Sequence, residues 1–235
     1  MSEFDVGFVI FPGITQLDFT GPFEVLSRLG TPAALDVPSQ IHSRTHVVAR
    51  SMLPVTSDRG LGIVPSCTFR DSPMLDLLCV PGGAGVVEAL ADPETVDFIR
   101  RQGERAEYVT SVCMGAFLLG AAGLLKGRRA TTHWAFVDLL PLVGASHEKA
   151  RVVRDGNVFT SGGVTSGIDF AFRIVAELAG AAVARAIQLG IEYDPAPPFD
   201  AGHPDKASPA AMALMTHRNA AAYAGVRDAL GALAI

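Results

Sequence analysis

Cys113 has the surroundings of a nucleophile. It stands in TSVCMGAFLLGAAGLL, residues 110–125, where a β-branched run gives way to small and apolar residues of helical type. A thiol at such a turn faces the first unpaired N–H groups of a helix and the positive end of its dipole, which favours the thiolate. The expectation is therefore a thiol pKa below that of a free cysteine, with Gly115 and Ala116 leaving room for a sharp turn and an approaching substrate. The remaining cysteines differ. Cys79, inside LDLLCV, reads as core packing, and Cys67 has no turn or helix start beside it.

A nucleophile needs a proton donor or acceptor. Asp18, in QLDFTGP just beyond the carboxyl end of the first strand, would share a sheet edge with Cys113; Glu24 is its rival, and a loop or capping carboxylate is the plain alternative. Beside a thiolate a carboxyl group is pushed to hold its proton, so the two side chains could share one. Backbone donors are the third requirement. Gly82 and Gly83 end one strand and open a turn, so the Gly83 N–H could point into the site beside that of Met114. Gly82 and His133, the latter in ATTHWAF, would stand behind these groups, and a capping or buried role accounts for the histidine as well as a catalytic one. Asp169 and Gly162-Gly163 read first as structure. His42, His46, His133, His147, His203 and His217 have no metal-binding spacing, and PGGAG matches neither a phosphate loop nor a dinucleotide fingerprint, so no metal or nucleotide is expected.

The elements that must position these residues alternate. FDVGFVIF, residues 4–11, reads as a strand covered on both faces and runs through Pro12-Gly13 towards a helix beginning near Gly21-Pro22, followed by a loop rich in Pro, Ser and Ala. Further strands are expected at residues 46–50, 75–80 and 108–112, and helices from about Gly85, from Asp92-Pro93-Glu94 to about Gly103, and from Met114. A short helix over 130–142, a hairpin turning at Asp155-Gly156, and helices over 166–178 and 181–192 complete the series. This pattern predicts an α/β fold, a mostly parallel sheet covered by helices on both faces, with the site at the carboxyl ends of the strands. Residues 1–195 would form the catalytic domain. Residues 196–235 would form a C-terminal arm and helix, packed on the same domain or on a dimer partner.

The chain has 235 residues, 49% hydrophobic and 18% charged, enough for one large core. Its formal net charge of −5, with no concentrated basic stretch, argues against nucleic acid and anionic membrane surfaces as partners. The start lacks a signal-peptide pattern and no apolar run spans a bilayer, so a cytoplasmic protein with free thiols and a small-molecule substrate is expected.

Taken together, residues 110–134 with QLDFTGP, VPGGAG, RVVRDGN, SGGVTSGIDFA and EYDPAPPF resemble the ThiJ/PfpI superfamily, and within it the isocyanide hydratases, from the first strand to about Pro204. The resemblance implies a flavodoxin-like sandwich, a homodimer, and no cofactor or metal. By position it makes Cys113 the nucleophile, Asp18 the acidic partner in place of the glutamate of many relatives, and Gly83 a backbone contributor. It implies cysteine-dependent hydration of isocyanides to N-substituted formamides through a covalent thioimidate. Two departures from pattern matter. Met114 stands where a Thr is expected in the hydratases, which removes a hydroxyl and changes the pocket; and no His follows the cysteine, unlike the protease-type members. Other readings are a glyoxalase- or deglycase-like enzyme on small aldehydes, a redox sensor using Cys113, and the ligand-sensing domain of an AraC-type regulator. The stretch after Glu192 is expected to be too short for the helix-turn-helix module of such a regulator.

Overall fold

The first strand, β1 (Ser2–Val9), lies in the middle of the sheet because Phe4, Val6, Phe8 and Val9 are apolar on both faces and all become buried. The computed structural model describes residues 2–29 and 41–233. The Pro-, Ser- and Ala-rich loop expected after the first helix falls largely outside them.

After β1 come α1 (Gln16–Leu26), β2 (Ile41–Ala49), a small hairpin of β3 (Val55–Thr56) and β4 (Gly62–Ile63), and the edge strand β5 (Cys67–Thr68). Next are β6 (Leu77–Val80), α2 (Val86–Leu90), α3 (Pro93–Gly103), β7 (Tyr108–Val112) and α4 (Gly115–Ala121). A two-strand patch of β8 (Arg129–Ala130) and β9 (Ser146–His147) brackets a 3-10 stretch, Trp134–Val143. The chain ends with β10 (Val152–Asp155), β11 (Val158–Ser161), α5 (Ser166–Ala179), α6 (Ala181–Gly190) and α7 (Pro209–Ala232). The main sheet runs β10-β11-β7-β6-β1-β2-β5, parallel except where β10 pairs antiparallel with β11. Helices α1, α5 and α6 pack together, and α4 packs with α2 and α3, giving the expected flavodoxin-like sandwich. Among the described residues no helix is long and apolar enough to cross a membrane. Helix α7 packs on α2 and on the 3-10 stretch, where Tyr223 donates its hydroxyl to Asp138 at 2.7 Å.

Three local expectations are corrected. The first helix starts at Gln16, over a turn before Gly21-Pro22, so Pro22 sits inside it and removes one rung of the helical ladder. It holds because Phe8, Phe19 and Phe23 form a cluster with ring centroids 5.3–5.5 Å apart, fixing the helix on β1 whatever the proline costs. The short helix expected over 130–142 is instead β8 followed by 3-10 turns, with Pro141 within them. In the β10–β11 hairpin Asp155 pairs with Val158, which makes Gly156 and Asn157 the central turn residues. The strands β3, β4, β5, β8 and β9 have two residues each, too short to leave a periodic signature.

At the amino ends of the strands Asp5 joins β1 to β2. Arg44 grips its carboxylate with Nε at 3.0 Å and Nη2 at 2.7 Å, and His46 Nε2 lies 2.7 Å away. Burial alone would raise the Asp5 pKa, but the Arg44 and His46 contacts overcome it and hold the carboxyl below its usual 3.8. A carboxyl with a lowered folded-state pKa adds stability above its unfolded value, and that stability is lost as pH falls through the folded one. Asp5→Asn is therefore expected to cost about 1–2 kcal/mol at pH 7 by urea unfolding, with the gap to the parent protein closing as pH drops below about 4. A gap that stays constant across that range would contradict the ionic account.

Candidate active site

Neighbouring strands β7, β6 and β1 end level with one another, and each hands its next residues to the same edge of the sheet. From β7 comes Cys113, from β6 come Gly82 and Gly83, and from the first turn of α1, after β1, comes Asp18.

Cys113 has φ +56°, the left-handed region that a residue with a Cβ enters at a cost of about 1–2 kcal/mol. Its own backbone bonds hold it there. The Cys113 N–H donates to the carbonyls of Ser161 at 3.1 Å and Gly162 at 2.8 Å, and its carbonyl accepts the Thr132 hydroxyl at 2.7 Å. The result is a sharp strand-to-helix turn with the side chain lifted off the strand direction. Thr132, 2% exposed, was not singled out in the sequence because a buried hydroxyl serving a distant carbonyl has no local pattern.

The Asp18 carboxyl and the Cys113 thiol stand close enough for each to shift the other's proton affinity, and Asp18 Oδ2 accepts the Gly82 N–H at 3.0 Å. How tightly the three segments converge is clear from Gly82: a Cβ there would sit 2.6 Å from the Met114 N, 3.1 Å from Asp18 Oδ2 and 3.1 Å from Cys113 Cβ. Gly83, at φ +132°, is equally constrained, since a Cβ would lie 2.3 Å from the Thr15 N. The Met114 amide lies near the Cys113 thiol and favours its ionised form. Among the described residues the Gly83 N–H has no protein acceptor, which leaves it available as a donor.

The electrostatics depart from the expectation of a lowered thiol pKa. Asp18 is fully buried, and its pKa is pushed up to about 7, chiefly by loss of solvent; the Gly82 N–H and the thiol pull the other way and the Asp58 charge adds to the rise. Burial also pushes the Cys113 thiol well above its usual value, and the Asp18 charge adds to that, while the Met114 amide opposes it. A single amide and a helix of seven residues do not outweigh removal from water. The thiol and the carboxyl titrate as a pair that keeps at least one proton at neutral pH.

The other expected residues fall elsewhere. Glu24 is half exposed on α1 and pairs with Arg28. His133 caps the 3-10 stretch, its Nδ1 accepting the Ala135 N–H at 3.3 Å, and burial followed by the Arg218 charge lowers its pKa to about 4, so the ring is neutral at pH 7. Its ring lies beside Gly163, one residue past the carbonyl that anchors Cys113. Asp169 binds Arg151 and the Tyr193 hydroxyl, a structural role. Asp58, on the turn between β3 and β4, was missed. Its charge reaches both Asp18 and Cys113. Cys79 lies fully buried in β6, as expected of core packing. Among the described residues no cluster of three or more His, Cys, Asp or Glu side chains could hold a metal ion.

The sequence profile of the DJ-1/PfpI family matches residues 5–177. The chain is similar to the isonitrile hydratase of Pseudomonas putida, with 54% identity over 88% of this chain and 86% of that protein. It also resembles the crystal structure of a THiJ/PfpI family protein from Pseudomonas syringae, with TM-score 0.90 and 41% identity, covering 98% of this chain and 92% of that one. A more distant similarity, 28% identity over 80% of this chain and 54% of the other, is to the HTH-type transcriptional regulator CdhR of Pseudomonas aeruginosa.

The Cys113 carbonyl depends on one buried hydroxyl. Thr132→Val, which keeps the volume and removes that donor, is expected to lower stability by about 1–3 kcal/mol in urea unfolding. Stability unchanged within error would mean the turn does not rely on this bond.

Proposed function

The chain belongs to the DJ-1/PfpI family, and from that premise we propose that it hydrates isocyanides (isonitriles) to N-substituted formamides, with Cys113 as nucleophile and Asp18 as its acidic partner. The observation that carries the reading is the buried Asp18–Cys113 pair at the strand-to-helix turn. Its similarity to an isonitrile hydratase supports the choice of substrate class.

In this reading the paired groups hold one proton between them. The Cys113 sulfur bonds to the terminal carbon of R–N≡C while that carbon takes the proton, giving the thioimidate R–N=CH–S. Asp18, now a carboxylate, orients a water and accepts its proton as the hydroxyl adds to the same carbon. Asp18 passes that proton to the nitrogen, the C–S bond breaks with its electron pair returning to sulfur, the hydroxyl proton goes back to the Asp18–Cys113 pair, and R–NH–CHO leaves; one water has been added and no atom oxidised or reduced. The free Gly83 N–H is a donor for charge that develops at the reacting atoms, and the Met114 N–H steadies the sulfur when it departs. A buried thiol that holds its proton suits this chemistry better than redox sensing, which calls for an exposed, acidic thiol.

We further read residues 1–195 as the catalytic domain and residues 196–235 as an arm and helix that cover it, in a cytoplasmic homodimer. The packing of α7 on α2 supports the arm's attachment to its own domain.

Purified protein incubated with an aryl isocyanide is expected to form the matching N-aryl formamide, followed by chromatography. Cys113→Ala should abolish turnover, and Asp18→Asn should slow it by about a hundredfold or more with the fold retained by circular dichroism. Formamide formation that survives Cys113→Ala would end the proposal. Because the Asp18 pKa lies at about 7, turnover is also expected to change steeply with pH around neutrality.

A further inference from the structure

Asp58 is a half-buried carboxylate outside the hydrophobic core, with one oxygen shut off from solvent. It belongs to the turn between β3 and β4, and that turn is stitched to the chain segment that begins α1. The Gly13 N–H donates to the Thr56 carbonyl at 2.9 Å, the Asp58 N–H to the Ile14 carbonyl at 2.9 Å, and the Ser57 hydroxyl to Gln16 Oε1 at 2.6 Å. Asp58 Oδ2 itself accepts the Thr15 hydroxyl at 2.8 Å. Thr15 in turn is bound to both sides of the site: its N–H donates to the Gly82 carbonyl at 3.0 Å, and its carbonyl accepts the Asp18 N–H at 3.0 Å. Since the Gly82 N–H returns to Asp18 Oδ2, the bonds link Asp58, Thr15, Gly82 and Asp18 in one connected network.

The second Asp58 oxygen, Oδ1, is buried with no hydrogen-bond partner among the described residues; Arg59 Nε stands 3.9 Å away on a largely exposed side chain. Asp18 Oδ1 is likewise buried without a partner in hydrogen-bonding geometry. Asp58 thus brings a poorly compensated negative charge to bear on an acid and a thiol.

We propose that Asp58 is a positioning residue for the Cys113 site, fixing the first turn of α1 through Thr15 and, by its charge, keeping the shared proton on the Asp18–Cys113 pair. This rests on the reading of those two residues as the reacting pair. The titratable and charged groups that face the pair are Asp58 with Arg59 beside it on the β3–β4 turn, and Cys79 on β6, whose thiol feels the Asp18 charge. Cys79 is uncharged at neutral pH, its thiol pushed up to about 12 by burial, so Asp58 is the anion that bears on the pair. Its charge disfavours a second negative charge nearby and so raises the pH at which the pair gives up protons.

The test of the charge reads the pair without any isocyanide, and that of the tether uses turnover. Alkylation of Cys113 by iodoacetamide, followed by site-resolved mass spectrometry from pH 5 to about 10, reports how its thiolate appears with pH. Asp58→Asn keeps an oxygen for the Thr15 hydroxyl and removes the charge; the rise in Cys113 alkylation is expected to move to lower pH. Should that variant fail to fold, Asp58→Ser removes the same charge from a smaller side chain and is read in the same way. Thr15→Val keeps the charge and cuts the tether, so formamide formation is expected to fall about tenfold, with Thr15→Ser restoring it. A profile in the neutral variant that overlays the parent's overturns the role of Asp58. Failure of the parent to form formamide, with the alkylation profile still displaced by Asp58→Asn, would instead count against the hydratase reading alone.

Discussion

One cysteine held in left-handed backbone geometry is the constraint on which the architecture of the candidate site depends. The conformation is unfavourable for any residue with a side chain, and here it persists because the residue's N–H meets the Ser161 and Gly162 carbonyls and its carbonyl meets Thr132. Those partners come from β11, the segment after it and the segment after β8, so the turn is an outcome of sheet pairing and not of local propensity. Straighten it, and the thiol returns to the strand direction and loses its carboxyl neighbour.

The same arrangement explains why the pair is protonated. An amide at a helix start stabilises a thiolate by an amount that a buried carboxyl and the loss of water readily exceed, and here two carboxyl groups, Asp18 and Asp58, bear on the sulfur. Burial thereby turns two ordinary acids into a unit whose protons are lost in steps that belong to neither residue alone. Exclusion of water also strengthens every remaining dipole, which gives the Gly82 and Met114 N–H groups more influence than they would have at the surface.

Much of this was legible in the residues. FDVGFVIF read as a buried strand because it is apolar on both faces, and Asp92-Pro93-Glu94 read as a helix start because its cap is local; Asp92 does accept the Glu94 N–H, at 3.3 Å. Cys113, Asp18 and Gly82 could be gathered at one sheet edge because parallel strands put their carboxyl ends together. What escaped was whatever depends on distant partners. The start of α1 was masked by Pro22, whose cost is outweighed by the Phe8–Phe19–Phe23 cluster. Asp58 sits in a turn between two-residue strands, where neither periodicity nor a motif marks it. The thiol's charge state followed from burial, which spacing along the chain does not reveal.

The bond from the Gly82 N–H to Asp18 spans 64 residues of sequence, and the parallel order β7-β6-β1 requires crossovers to be complete before it can form. Closing so long a loop costs chain entropy that only the assembled sheet repays. Before the sheet closes, Cys113 is therefore an ordinary solvated thiol with no aspartate beside it. Its raised proton affinity is a signature of the finished fold, since burial and the neighbouring carboxyl exist only there.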